Sequence, residues 1–134
     1  MPAKAELGVQ EIVAMQVVYI ELPWPPSVNT YWRRVGTKTI ISKSGRLYLQ
    51  SVQAAVLISG CRRNMLGELQ MSILAYPPDM RRRDLDNVLK GVLDSLQKCG
   101  VYGDDFQIAK LSIERRRASK PGRLEISIQE IKSA

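Results

Sequence analysis

Asp84 and Asp86 stand two residues apart, directly behind the run Arg81-Arg82-Arg83, with Asn87 and Lys90 just beyond. Carboxylates held close together repel each other unless a proton or a cation separates them. As hard oxygen donors with no cysteine or histidine beside them, they select Mg²⁺, with Mn²⁺ as the alternative. A metal held there suits phosphodiester hydrolysis: it polarises a phosphoryl oxygen and lowers the pKa of an attacking water, while nearby cations stabilise the charge that develops. Lys90 is placed for that or for help to the leaving group, and Arg81, Arg82 and Arg83 for holding flanking phosphates. A plainer account also fits. Asp84 is then a helix N-cap, and Asp86 an exposed i,i+4 partner of Lys90 worth only about 0.3–0.5 kcal/mol.

Geometry limits the stronger reading. Two residues spaced i,i+2 within a helix point roughly 200° apart, so joint action requires Asp84 to lie just outside the helix, at its N-cap. A third acid is offered by the glycine-punctuated loop "GVYGDD", which carries Asp104 and Asp105. A 16-residue helix is about 24 Å long, and the six steps from Cys99 to Asp105 span at most about 20 Å. Asp105 therefore reaches Asp86 only by running straight back along the helix, or from a partner chain.

The rest of the composition narrows the choice. The chain has 134 residues, no histidine and two cysteines, Cys61 and Cys99. Ser-His-Asp and Cys-His chemistry and the usual zinc sets are thereby excluded, and a disulfide framework is not expected. The formal net charge of +7 is carried largely by clustered arginines, which favours a polyanionic partner such as nucleic acid. No apolar run approaches the roughly 20 residues of a membrane span, and the N-terminus lacks a secretory pattern; a cytoplasmic protein without membrane attachment is expected.

The elements that must position these residues follow from periodicity. Residues 15–23 are rich in β-branched and aromatic residues and end in "PWPP", a strand with a sharp exit; 37–42 read as a short strand, and "KSGRLYLQSVQAAVLISG" as a helix stopped by Gly60. Lys43 and Arg46, in the first turn of that helix, are candidate phosphate contacts. Residues 67–78 alternate as a strand. From 84 to 99 the apolar residues fall in one arc of roughly 140° at the helical period. Two strands close the chain, joined through "ASKPG" as a hairpin-like connection. The expected fold class is α+β, a mixed β-sheet with two main helices packed on it, with a single domain over 15–134 and an N-terminal extension over 1–14.

In order and spacing, "LPWPPSVNTYW", "RRRDLDNVLK", "GVYGDD" and "SKPGRLEISI" resemble the RusA family of Holliday junction resolvases, over about residues 17–130. The resemblance implies a homodimeric, Mg²⁺-dependent endonuclease that cuts four-way DNA junctions symmetrically, encoded by bacteria or their prophages. It places the family's catalytic, metal-binding aspartates on Asp84, Asp86 and Asp105 and its essential lysine on Lys90. Arg83 is expected to contact DNA and Asn87 to orient the site. A two-fold symmetric junction also suits a C2 dimer. The rival of another class is a nucleic-acid-binding module without chemistry. Trp24 and Trp32 are read as packing anchors or as platforms for unpaired bases.

Overall fold

In the computed structural model the described residues are 16–131. The expected N-terminal extension, and Met15 at the start of the first strand, lie outside them. Strand β1 (Val17–Pro23) alternates as its sequence demands, with Val18, Ile20 and Leu22 buried and Val17, Tyr19 and Glu21 outward. Prolines at 23, 25 and 26 end it, because none can donate to a sheet ladder. A four-residue helix, α1 (Val28–Tyr31), follows, and then an antiparallel ribbon of β2 (Trp32–Val35) and β3 (Lys38–Ile41). Its two-residue turn starts at Gly36, whose φ of 62° glycine adopts without strain.

Helix α2 (Lys43–Ser59) is capped at both ends. The Ser42 hydroxyl accepts from Gly45 N, and Gly60 leaves the helix in the left-handed conformation. It buries Tyr48, Val52 and Val56 at four-residue spacing. Strand β4 (Leu69–Tyr76) stops at two prolines, and α3 (Asp86–Lys98) buries Val88, Gly91, Val92, Ser95 and Leu96. A 3₁₀ turn (Asp105–Gln107) leads into β5 (Ile108–Arg115), and β6 (Arg123–Glu130) completes the chain. The inner residues of β1, β4 and β6 form one core with those of α2 and α3, so both long helices lie on one face of the sheet.

The sheet order β1-β6-β4-β5 corrects the expected hairpin of the last two strands. β6 pairs antiparallel with both β1 and β4, whereas β5 pairs parallel with β4 at the edge. Burial explains the order. Leu124, Ile126 and Ile128 on β6 are buried and need sheet on both sides, while β5 is half-buried only at Ile108 and Ile113 and tolerates an edge. The connection crosses the end of β4, with Arg116 N donating to Ala75 O (2.8 Å) and Ser119 N to Pro77 O (2.8 Å). The short strand expected at 37–42 is one arm of the separate ribbon; its partner and α1 had no periodic signal to mark them. Among the described residues no helix is long and apolar enough to cross a membrane. Cys61 and Cys99 are both free thiols.

Candidate active site

The acidic pair lies where α3 begins. Leu85 already has helical dihedrals, and the Asp84 carbonyl accepts from Asn87 N at 3.2 Å, so Asp84 stands one residue ahead of the first turn and Asp86 within it. The Asp84 side chain makes no capping hydrogen bond. Both carboxylates are exposed, and among the described residues neither is ion-paired. The ion pair anticipated between Asp86 and Lys90 does not form. Lys90 instead places its Nζ 5.1 Å from the centroid of the Trp32 ring, a cation–π contact, and the i,i+4 pair on this helix joins Asp94 to Lys98 at 3.1 Å.

The three preceding arginines do not neutralise the acids, because another acid takes two of them. Asp79 accepts from Arg83 Nη1 at 2.7 Å and from the Arg81 backbone N–H at 2.9 Å, with Arg81 Nε 3.8 Å away. These bonds, the Arg83 one foremost, hold its carboxyl down to about 2. Arg83 also sits 5.9 Å from the Trp24 ring, and its carbonyl accepts from Arg115 Nη2 at 2.7 Å. Arg82 is exposed and outside every ion pair among the described residues. A groove of about 550 Å³ is lined by Trp24, Ser27, Arg82, Arg83, Asp84 and Asn87; a smaller hollow beside it shares Trp24, Arg83 and Asp84 and adds Arg115, Arg116 and Arg117. Asp84 thus faces both hollows. Lys43 and Arg46 lie elsewhere, at the foot of the ribbon, where Arg46 Nη1 donates to Ile41 O at 3.1 Å.

Asp105 occupies a different place. Its N–H donates to Gln97 Oε1 at 3.0 Å, at the far end of α3, and its carboxyl is raised by burial first and by Asp94 and Asp104. The nearby Tyr102 hydroxyl gives its one proton to Leu93 O at 2.8 Å, so it does little to offset that rise. Asp104 is occupied as a cap, accepting from Phe106 N at 2.9 Å, so Asp105 is the acid of the pair left for other work. Among the described residues Asp105 Oδ1 and Asp94 Oδ2 are each shielded from solvent without a hydrogen-bond partner; Lys98 is near Asp94 Oδ2 but off the hydrogen-bonding angle. Eight residues of helix, about 12 Å, separate Asp86 from Asp94. Among the described residues no three potential ligands gather closely enough to hold one metal ion. Asp84 and Asp86 stand two residues apart at the start of α3, with Asp84 lining the groove, and Asp105 lies near the other end of that helix.

Sequence reasoning overlooked Asp79 and Arg115–Arg117 as parts of this region; Asp94 it places on the polar face of the helix with Asp86 and Lys90, and the structure puts it beside Asp105. An acid two and four residues ahead of arginines was the available signal for Asp79.

Unpaired carboxylates at a helix start, flanked by arginines on a basic α+β body, are the equipment of a phosphodiester-cleaving nuclease. Residues 23–129 match the family described as Endodeoxyribonuclease RusA. The chain belongs to the RusA family. It is 43% identical over 112 residues to the crossover junction endodeoxyribonuclease rusA of Enterobacteria phage HK97, covering 84% of this chain and 93% of that one. The corresponding protein of Enterobacteria phage 82 is 37% identical over 117 residues, and that of Escherichia coli strain K12 is 35% identical over 117 residues; each match covers 87% of this chain and 98% of the relative.

Proposed function

We propose that this protein is a divalent-metal-dependent endonuclease, using Mg²⁺ or Mn²⁺, that resolves four-way DNA junctions by paired symmetric nicks in the cytoplasm, acting as a homodimer. One observation carries it: among the described residues Asp84 and Asp86 remain without a protein counter-charge behind three arginines, because Asp79 engages Arg81 and Arg83. Their exposed hard oxygens fit a divalent cation, which when bound supplies a Lewis acid for the phosphoryl oxygen and the water. Arg82 and the anchored Arg83 hold the phosphates on either side of the scissile bond. Lys90, kept over Trp32, lends positive charge to the departing oxygen, and Asn87, half-buried in the same turn, orients the groups around it.

Asp105 joins the site from the second copy. The support is its seat beside Asp94, together with Phe106 next to it, which is 92% exposed and suits a subunit contact. A C2 pair would complete two equivalent sites, one for each strand of a symmetric junction.

The test is cleavage of a labelled four-way junction beside a linear duplex of the same sequence, with Mg²⁺ and with EDTA. Metal-dependent paired nicks confined to the junction are expected, and lost in Asp86→Asn; tight binding without cutting in any metal would overturn the enzyme. Mixing Asp86→Asn with Asp105→Asn subunits distinguishes the two placements of Asp105. Shared sites restore one competent site per mixed dimer and yield single nicks, whereas sites built within one chain restore none.

A further inference from the structure

The β2–β3 ribbon meets the body through Trp32 and Ile41 at its root, and its outer residues have no part in the core or in the acidic site. Every residue from Arg33 to Ile40 is exposed. The register opposes Arg33 to Ile40 and Val35 to Lys38, so these four share one face, two cations beside two aliphatics that are 47% (Val35) and 37% (Ile40) exposed. Arg34 and Thr39 lie on the other face with Trp32 and Ile41, which turn toward the body. Among the described residues Arg33, Arg34 and Lys38 make neither an ion pair nor a side-chain hydrogen bond.

The charge distribution is as uneven as the exposure. Between Glu21 and Glu68 the chain contains no acidic residue and seven basic ones, so its whole net charge of +7 resides there and the remainder is balanced. Three of the seven are on the ribbon, and Lys43 and Arg46 stand at its foot.

The ribbon is exposed without being loose. Its two ends are tied where Ser42 N and Ser42 Oγ both donate to Tyr31 O at 2.9 Å. Tyr31 is fully buried, its hydroxyl 2.9 Å from Ser95 Oγ on α3 and its ring against Gly91. The neighbouring Trp32 carries Lys90 over its ring. An arm of concentrated positive charge is thus fixed to the helix that bears the acidic pair.

We infer that this ribbon is a second DNA-binding element, which holds a branch of the junction apart from the strand being cut: Arg33, Arg34 and Lys38 on its phosphates, and Val35 and Ile40 against base and sugar surface that the branch point exposes. This rests on the proposed function and adds to it the origin of structure selectivity. Phosphate contacts give affinity without discrimination. Apolar side chains favour places where stacking is interrupted, which a junction centre offers and a continuous duplex hides. A second copy of the same face is a poor partner, since it would set like charges together.

The experiment measures junction and duplex binding in EDTA across a range of salt for three proteins: wild type, the triple variant Arg33→Gln/Arg34→Gln/Lys38→Gln, and Val35→Ser/Ile40→Ser. The triple variant is expected to reduce the slope of log K against log salt by about 2–3, near 0.9 for each phosphate released. The double variant is expected to keep the slope while its junction-over-duplex preference drops about 5–10-fold. Metal-dependent hydrolysis of a small activated phosphodiester, which is too short to reach the ribbon, should be unchanged in both. An unchanged salt slope in the triple variant, with wild type binding and cutting junctions normally, overturns the ribbon alone. An unchanged preference in the double variant removes its role in selectivity. A wild type that neither binds nor cuts junctions overturns the proposed function and this inference together.

Discussion

Gly45→Ala tests the close packing on which the ribbon's posture depends. Gly45 is buried in the first turn of α2, and a Cβ there would collide with Tyr31 O and lie 2.7 Å from Ile41 Cγ2. The first contact is with backbone, which cannot swing aside as a side-chain tip can. Relief requires Tyr31 O to retreat, and that oxygen accepts two hydrogen bonds from Ser42. Losing both costs about 1 kcal/mol each, and residual overpacking about 1–3 kcal/mol. Alanine returns up to about 1 kcal/mol through its better helix propensity. The net loss is about 2–4 kcal/mol, a drop of about 7–14 °C in Tm for a chain of this size. Thermal and urea unfolding followed by circular dichroism would measure it, with the exposed Ser44→Ala as a control expected to stay within about 0.5 kcal/mol. A Gly45→Ala protein that melts with or above wild type would refute the close approach of α2 to the ribbon root.

Asp105 carries its charge at a cost, because burial raises its carboxyl. That cost is present at neutral pH and vanishes as pH falls below the usual carboxylate range, so Asp105→Asn should melt above wild type near neutral pH and level with it once pH lies below that range. Asp79 has the opposite sign: lowered to about 2, it contributes stability above about pH 4 that is lost as pH falls towards about 2. The melting difference between wild type and Asp79→Asn should therefore be constant above that window and disappear within it. Trp32→Leu removes the ring beneath Lys90, a contact worth about 0.5–1 kcal/mol at an exposed site. A two- to five-fold fall in kcat on junctions, with Mg²⁺ affinity by calorimetry unchanged, is expected; an equal loss of metal affinity would contradict the separate placement of Lys90.

Periodicity made β1, α2, β4 and α3 legible, because each buries one face and shows the spacing of that face. The start of α3 at the acidic pair was equally legible, but the N-cap expected at Asp84 is Leu85, and Asp84 stands one residue further out. β5 and β6 were recognisable as strands but not as non-neighbours, since pairing order depends on which strand must be covered on both edges. The ribbon was half visible: Arg33-Arg34-Val35 is exposed and only Trp32 is half-buried, so almost nothing constrains its pattern. The seat of Asp105 was beyond sequence reach, for a length limit bounds where a loop can go without fixing its direction. The Gln97 side chain and the capping by Asp104 fix it in space.

Tyr31 gives the molecule a consequence of a different kind. It locks two surfaces at a set spacing: the ribbon through its carbonyl, and α3 through its hydroxyl and ring. DNA that settles on one surface meets the other already in position, so no further segment has to be ordered before both are engaged. The orientational entropy is lost once rather than twice, and the scissile phosphate arrives at the acids with its freedom already reduced. Loosening Tyr31 would leave every DNA contact chemically intact and still make them act as separate weak sites.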